Sequence, residues 1–477
     1  VTFANARRAL ERRRHTGPTP LVAAFLVAGC ASPPPLAPRV VRGLDDTPLE
    51  GASSLVVSVL ADGAPIEGAE IRVPLPSDAF VVPEVPLGRA LALRVEAFAG
   101  EVPLARGRSL PFDYASPGAP PAPPDVLLVT LGRFTRTLES SRSFVAVAPS
   151  AEGAILVADD GEIFAYLAHG GADGSAVLVS RGSVPARRGA RWTTLRDETG
   201  AAALLGVGGL DGGASVIDTR GATVASLPPD ASDVRTDIAL ASTEDGAFAL
   251  AAGGVDASGA VSDAVSRFEL EGGLLVRTEL TPLAHARAHA ELVLVSAEVG
   301  TDTRAVALVG GGGATASLEL LDPYAGSIAE VPNEQDLDAR AWVAVGTGLV
   351  VAAGGMDRLG AASDAVDLFL VRPDRDPPVA RVTPSPSPLF APRSHAQALQ
   401  LGPGLAIFVS GTASTGAPVR GAELVEVRLD ALPGEVVPTG SFPIEAAARA
   451  LTRLEDRSVL VVGDGLVLAY VPPRGPE

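Results

Sequence analysis

The sequence predicts an all-β protein: a seven-bladed β-propeller preceded by a small β-sandwich. The first observation is a phrase that recurs through the C-terminal three quarters of the chain. Its clearest copy is Ala391–Thr412, APRSHAQALQLGPGLAIFVSGT, which reads as a Pro-Arg lead, an alternating strand, a Gly-Pro-Gly turn, a second apolar strand and a small-residue stop. With the lead arginine as phase marker, copies begin at Arg142, Arg191, Arg235, Arg287, Arg340, Arg393 and Arg449, at intervals of 49, 44, 52, 53, 53 and 56 residues. The second observation is the stop, a glycine pair or a degraded form of it: Asp159-Asp160, Gly208-Gly209, Gly253-Gly254, Gly310–Gly313, Gly354-Gly355, Ser410-Gly411 and Gly463-Asp464. The third is the near absence of long amphipathic helical patterns in that region. Strands such as Ala406–Val409 and Leu349–Ala353 are short continuous apolar runs, as expected of strands covered on both faces.

Two copies agree beyond the stop, GGVDASGAVSDAVSRFEL from Gly253 and GGMDRLGAASDAVDLFL from Gly354, with Ser-Asp-Ala-Val nine residues after the first glycine in each. A period near 50 residues, the glycine pairs, Arg393 and His395 in PRSHA, Arg287 and His289 in ARAHA, and LDPYAG at Leu321–Gly326 together resemble the kelch repeat. That resemblance implies a β-propeller over residues 125–477. The chain departs from the pattern where the aromatic that usually follows the LDPYAG turn is replaced by aliphatics such as Ile328. Its two tryptophans, Trp192 and Trp342, lie instead on the strands that follow the lead arginines.

A blade is a small twisted antiparallel sheet with two apolar faces, and stacking blades around an axis buries both and leaves only short edges. Seven lead strands imply seven blades. After Gly465 there is one more strand, Leu466–Val471, so the last blade is short of a strand or two. Val126–Arg136 precedes the first lead arginine and reads as a blade tail without a blade. It is expected to pair with the last blade and close the ring.

Residues 1–29 read as a signal peptide. Arg7, Arg8 and Arg12–Arg14 form a positive n-region and Leu21–Ala28 an apolar stretch too short to span a bilayer. Leu26-Val27-Ala28-Gly29-Cys30 resembles a bacterial lipobox, which implies cleavage before Cys30 and attachment of acyl chains to its thiol. The sole cysteine of the chain falls on the one position that needs it. The expected address is therefore the bacterial cell envelope, lipid-anchored to the outer membrane on its periplasmic or surface face.

The formal charge is −18, and cleavage would remove five arginines and Glu11, leaving the remainder more acidic. Nucleic acid is an unsuitable partner for such a chain. Lysine is absent and asparagine occurs only at Asn5 and Asn333, a pattern of a GC-rich genome rather than of function. Within one chain the single cysteine allows no disulfide.

Proline-rich stretches divide the rest. Residues 30–48 hold the acylated cysteine and a tether, ASPPPLAP, expected to be extended. Residues 115–124, ASPGAPPAPP, form a linker to the propeller. Between them, 49–114 carries strand signals at Leu55–Leu60, Glu70–Pro74, Phe80–Val82, Ala90–Ala97 and Val102–Arg106. ALALRVEA alternates cleanly, with Leu91, Leu93 and Val95 on one face. The segment looks like an immunoglobulin-like β-sandwich, whose preferred role is a spacer.

No motif for catalysis rises above the repeat. Without lysine there is no Walker loop and no Schiff-base chemistry, and HExxH, GxSxG and EF-hand patterns are missing. GVGGLDGG at Gly206–Gly213 imitates a phosphate loop but falls at a blade stop with no following helix. Some kelch propellers are copper radical oxidases that need a Tyr–Cys cross-link, and here the only cysteine is taken by the anchor, so that activity is not expected. His285, His289 and His395 are read as partners of blade hydrogen bonds. No metal and no cofactor are expected.

The sharpest site candidates are the lead arginines themselves. In kelch proteins this position lies by one mouth of the axial channel, so the resemblance implies a ring of Arg142, Arg191, Arg235, Arg287, Arg340, Arg393 and Arg449. Converging guanidinium groups suit carboxylates, because their planar forks bind bidentately. The competing reading, and the preferred one, is that each arginine bonds a carbonyl or an acid of its own blade. The functional expectation is a monomeric envelope lipoprotein that binds a protein or glycan partner, possibly anionic, without catalysis. The alternative is a propeller enzyme acting on sugars, of hydrolase or epimerase type, which would need carboxylates and a Tyr or His converging in the channel.

Overall fold

The computed structural model describes residue 36 and residues 38–473, other than 62, 77–84, 86, 115–123, 173, 186–188, 198, 229–233, 313–316, 325–327, 333–337, 385–387, 429–434 and 445–446. Cys30, the signal peptide, most of the two proline-rich stretches and the strand expected at Phe80–Val82 lie outside the described residues. Among those described, every helix-or-strand element is a strand.

The first sheet has seven strands: β1 (Arg39–Arg42), β2 (Ser54–Ala61), β3 (Ala64–Pro74), β4 (Gly88–Ala99), β5 (Val102–Arg108), β6 (Phe112–Tyr114) and β7 (Asp125–Thr130). Their order is β1-β7-β5-β4-β2-β3, with β6 on β4. The alternation in β4 does what its sequence says. Leu91, Leu93, Val95 and Ala97 join Leu55, Val57 and Val59 of β2 in one apolar core, and the intervening residues face the other way.

The chain then crosses through β8 (Phe134–Arg136) to seven four-stranded sheets. Blade 1 is β9 (Phe144–Ser150), β10 (Gly153–Ala158), β11 (Glu162–Leu167) and β12 (Val177–Ser183). Blade 2 is β13 (Ala190–Arg196), β14 (Ala202–Gly208), β15 (Ala214–Asp218) and β16 (Thr223–Leu227). Beside blade 3 the short strands β17 (Arg235–Thr236) and β20 (Val255–Asp256) pair with each other. The blade itself is β18 (Ala239–Ser242), β19 (Phe248–Ala252), β21 (Val265–Glu271) and β22 (Leu274–Glu279). Blade 4 is β23 (Glu291–Val299), β24 (Asp302–Gly310), β25 (Ser317–Leu321) and β26 (Ile328–Pro332). Blade 5 is β27 (Ala341–Gly346), β28 (Leu349–Ala353), β29 (Val366–Val371) and β30 (Val379–Pro384). Blade 6 is β31 (Gln397–Gly402), β32 (Leu405–Val409), β33 (Gly421–Arg428) and β34 (Glu435–Pro443). Blade 7 is β35 (Ala448–Arg453), β36 (Val459–Gly463) and β37 (Leu466–Tyr470), completed by β8.

The propeller is thus seven-bladed, and its core is seven apolar clusters, one for each pair of adjacent blades including the last and the first. In β28, Val350 and Ala352 enter the cluster shared with blade 4, while Val351 and Ala353 enter the one shared with blade 6. That double coverage is why these second strands are continuous apolar runs rather than alternating ones.

Closure is achieved by a shorter piece than Val126–Arg136. Only Phe134–Arg136 pairs with β37, with Phe134 opposite Tyr470 and the two rings stacked 4.7 Å apart. Asp125–Thr130 belongs to the first sheet, parallel to β1 and antiparallel to β5. The expected tether likewise contains a strand, Arg39–Arg42, whose Arg39 clasps Asp125 (Nε–Oδ1 2.5 Å). The buried Asp46 carboxylate pins the crossing, accepting hydrogen bonds from Thr130 N (2.9 Å), Thr130 Oγ1 (2.6 Å) and Thr135 Oγ1 (2.9 Å).

The repeat phrase has a mechanical meaning. In three blades the stop donates its N–H to the carbonyl of the next lead arginine, Gly209 to Arg235, Gly254 to Arg287 and Gly355 to Arg393 (each 2.8 Å), and across the ring junction Gly465, one residue past the stop, donates to Arg142 (2.9 Å). Glycine is required where those backbones touch. At Gly354 φ is +69° and a Cβ would lie 2.3 Å from the Arg393 carbonyl oxygen. The arginine side chain then turns into its own blade. Main chain to the blade before, side chain to the blade after: each such residue is a staple between neighbours.

Candidate ligand site at the channel mouth

The first strands of the seven blades ring the axis, each touching the next. At the end where they begin, the lead arginines divide into two groups. Arg235, Arg287, Arg340 and Arg393 are 3%, 0%, 1% and 1% exposed. The guanidinium of Arg287 meets Glu319 of β25 (Nε–Oε1 3.0 Å) and the Gly311 carbonyl (2.9 Å). That of Arg340 meets Asp367 of β29 (2.6 Å) and the Ala352 carbonyl (2.8 Å), and that of Arg393 meets Glu423 of β33 with the Ser410 and Gly421 carbonyls (both 3.1 Å). Arg235 donates to the Gly253 carbonyl (2.7 Å), the Ser262 hydroxyl (3.2 Å) and the Ala264 carbonyl (3.3 Å). Burial pulls Arg340 and Arg393 below the usual arginine range, and their carboxylate partners oppose it. These four guanidinium groups face carbonyls and acids of their own blades, not the channel.

The other three are open to solvent. Arg142 bridges Asp160 (2.6 Å) and Glu162 (2.7 Å) with its guanidinium over the Phe164 ring. Arg449 is held by Asp464 (Nε–Oδ1 2.9 Å), which also accepts from Ser143 of blade 1. Arg191 reaches from blade 2 to within 3.9 Å of Glu291 on blade 4. Burial raises the Glu291 carboxyl, and the Arg191 charge works against that rise. His289 Nδ1 lies 3.5 Å from Asp237. The His395 imidazole is held below its usual range by partial burial, then by Arg191 and His289, with Asp237 opposing. Asp237, His289 and His395 share a left-handed backbone, with φ of 54°, 53° and 54°, a sparsely populated state for residues other than glycine.

Between blades 7, 1 and 2 this mouth deepens into a recess of about 440 Å³ lined by Val145, Asp159, Asp160, Pro185, Trp192 and Arg449. Trp192 can lie there because residue 206 on the paired strand is glycine, whose Cβ would come within 2.6 Å of the indole. The recess therefore offers an aromatic surface, two carboxylates and a guanidinium at a solvent-filled edge. Such a set recognises hydroxyl-bearing or mixed-charge ligands by stacking and bidentate hydrogen bonds.

Sequence reasoning picked out Arg142, Arg191 and Arg449 from this mouth. It did not find Asp237, Glu291 and His395 as a group, because nothing in spacing links residues three blades apart. His285 pairs with Glu330 (3.1 Å), far from His289's partner Asp237. Among the described residues no group of His, Cys, Asp and Glu could hold a metal ion. The first sheet sits away from the mouth, against the opposite end and rim of blades 7 and 1, where Arg39 donates to the Ala172 carbonyl (3.1 Å) and Leu127 and Val129 pack on Ala469. Compared with known proteins, the chain matches no family model and no curated sequence.

Proposed function

We propose that the chain is a kelch-type propeller lipoprotein of a bacterial envelope, whose channel mouth binds a carbohydrate or a protein segment of mixed charge without catalysis. One observation carries the binding reading: the recess that sets Trp192 beside Asp159, Asp160 and Arg449. Acids there match or outnumber the three open arginines, so a hydroxyl-rich ligand suits the mouth better than a polyanion. The lipobox-like Leu26–Cys30 supports the anchor. Five residues separate Cys30 from Leu36, which packs in the first sheet's core. At most about 20 Å of extended chain would then hold that sheet near the bilayer, as a spacer with the mouth pointing away.

A glycan array probed with the full-length propeller, followed by titration of any retained glycan, tests the mouth. Trp192→Ala and Arg449→Ala are expected to weaken binding by about tenfold or more each, the scale of one lost stacking or charged contact, in variants whose native unfolding transition is first confirmed, because Trp192 also packs on the cluster between blades 1 and 2. Binding indifferent to both substitutions would remove the mouth from the account. The anchor is tested separately: Cys30→Ser should move the protein from the membrane fraction to the soluble fraction, and unchanged membrane association would contradict the lipid attachment.

A hydrolytic second reading has one observation in its favour, the raised Glu291 carboxyl in the same channel as the Asp237–His289 pair. Turnover of a bound glycan that Glu291→Gln abolishes would select it over simple binding.

A further inference from the structure

We propose that the cavity between the first sheet and the far end of blade 7 is a binding site for a small multivalent oxyanion of the phosphate or dicarboxylate type, gripped by Arg108, Arg453 and Arg457. The cavity holds about 80 Å³ and is lined by Arg94, Arg106, Arg108, Arg453, Arg457 and Asp456 over an apolar floor that includes Leu127 and Val129. A single water needs only about 10–15 Å³ of such space, so there is room for a compact anion and little more.

The cationic wall follows from strand alternation. In β4 and β5 the residues that turn away from the apolar core include Arg94, Glu96, Arg106 and Arg108, and they face the propeller. Arg94 and Arg108 are direct cross-strand partners, a like-charge pairing that a sheet ordinarily avoids. Blade 7 adds Arg453 at the end of β35 and Arg457 in the following turn. Arg457 sits at φ +66°, a strained value for arginine that aims its side chain at the first sheet, where a Cβ on Gly63 would come within 2.5 Å of its guanidinium.

Three acids stand near these arginines: Glu96, and Asp456 and Glu455, which both act on Arg108. Glu96 is already shared between Arg94 (3.5 Å) and Arg106 (2.7 Å). The Asp456 carboxylate accepts from Ser458 N (2.9 Å) and Oγ (2.6 Å), and burial raises it toward the neutral form. Arg108 Nε is buried with no hydrogen-bond partner among the described residues. Burial first, then the Arg457 charge, pulls Arg108 and Arg453 below the usual arginine range, with Asp456 opposing at Arg108. Five arginines converging in a chain of net charge −18 are not a general surface property. Planar guanidinium forks approaching from two sides match an oxyanion able to take several of them at once. Because Arg108 comes from the first sheet and Arg453 and Arg457 from the propeller, a bound anion would tie the two together. The site stands apart from the channel mouth and does not depend on it.

The test is calorimetric unfolding of the full chain in inorganic phosphate, in succinate and in sodium chloride at matched ionic strength, with titration calorimetry for affinity. At least one of phosphate and succinate is expected to raise the melting temperature saturably beyond chloride, and whichever does so names the anion type. Arg453→Gln and Arg108→Gln are each expected to weaken that anion by about tenfold or more while melting, in chloride, no lower than the parent. Arg220→Gln, in an exposed turn of blade 2, should respond like the parent. Should Arg108→Gln fail to fold, Arg453→Gln at the end of β35 carries the comparison alone. Neither anion exceeding chloride, or Arg453→Gln responding to the anion as the parent does, overturns the proposal.

Discussion

Replacing Arg287 by alanine is expected to lower the unfolding free energy by about 3–5 kcal/mol, the usual cost of stripping one partner from a fully buried ion pair. Both Arg287 and Glu319 are 0% exposed, and Glu319 also accepts the Ala284 N–H (2.7 Å). The truncation therefore leaves a carboxylate inside blade 4 with neither water nor a counter-charge. Arg142→Ala, at the same point of the phrase but 44% exposed, should cost no more than about 1 kcal/mol. Denaturant unfolding of the two variants checks the contrast. Equal losses would mean that burial does not separate the two groups of lead arginines. The double change Arg287→Met with Glu319→Leu should recover most of the loss, since well-packed apolar substitutes for a buried ion pair are often neutral or better.

Gly354→Ala is expected to cost about 2–5 kcal/mol, combining left-handed backbone strain with a forced contact in a packed site. The new methyl would press on the Arg393 carbonyl, the acceptor of the Gly355 N–H bond that joins blade 5 to blade 6. Gly360→Ala is the matched control. Its φ is +80°, yet nothing lies within 4 Å of its Cβ position, so only the conformational part, about 1–2 kcal/mol, should appear. If the two variants melt together, close approach is not why the stop is glycine.

These two residues also show how far the repeat was legible. At Arg142, Arg235, Arg287 and Arg393 the arginine carbonyl meets a glycine N–H of the neighbouring blade, so there the spacing of arginine and glycine tracks the blades. The phase is less faithful. In blade 6 the bridge residue Ser394 follows Arg393 directly, whereas in blade 5 the equivalent bridge, Asp338 to Met356, comes before Arg340. Arg340 reaches a buried acid from a shifted register, and a constant interval conceals that. The piece misplaced by sequence, Val126–Thr130, is apolar on both faces and satisfies either sheet. The free edge of β5 and the strand Arg39–Arg42, inside what reads as a proline-rich tether, decide its place.

The candidate site was legible only in part, for a related reason. A lead arginine's type and spacing are the same whether it is sealed or open. What separates Arg142 and Arg449 from Arg287, Arg340 and Arg393 is that their own-blade acids, Asp160, Glu162 and Asp464, stay open to solvent, whereas Glu319, Asp367 and Glu423 are sealed. Arg191 acts on both Glu291 and His395, and Asp237 on His395, only because blades 2, 3, 4 and 6 curve round one axis. The alternation of β4 and β5 fixes which face Arg94, Arg106 and Arg108 share, but only the packing of that face on blade 7 brings them to Arg453 and Arg457.

The account rests most on a closed ring whose last sheet is finished by a strand from before the first blade. Native-state hydrogen exchange read over the amides of Phe134–Arg136 and Leu466–Tyr470 tests this most directly. Protection equal to that of β28 and β32, lost only with global unfolding, is the predicted result. Rapid exchange of both segments while β28 and β32 stay protected would show an open junction and contradict it.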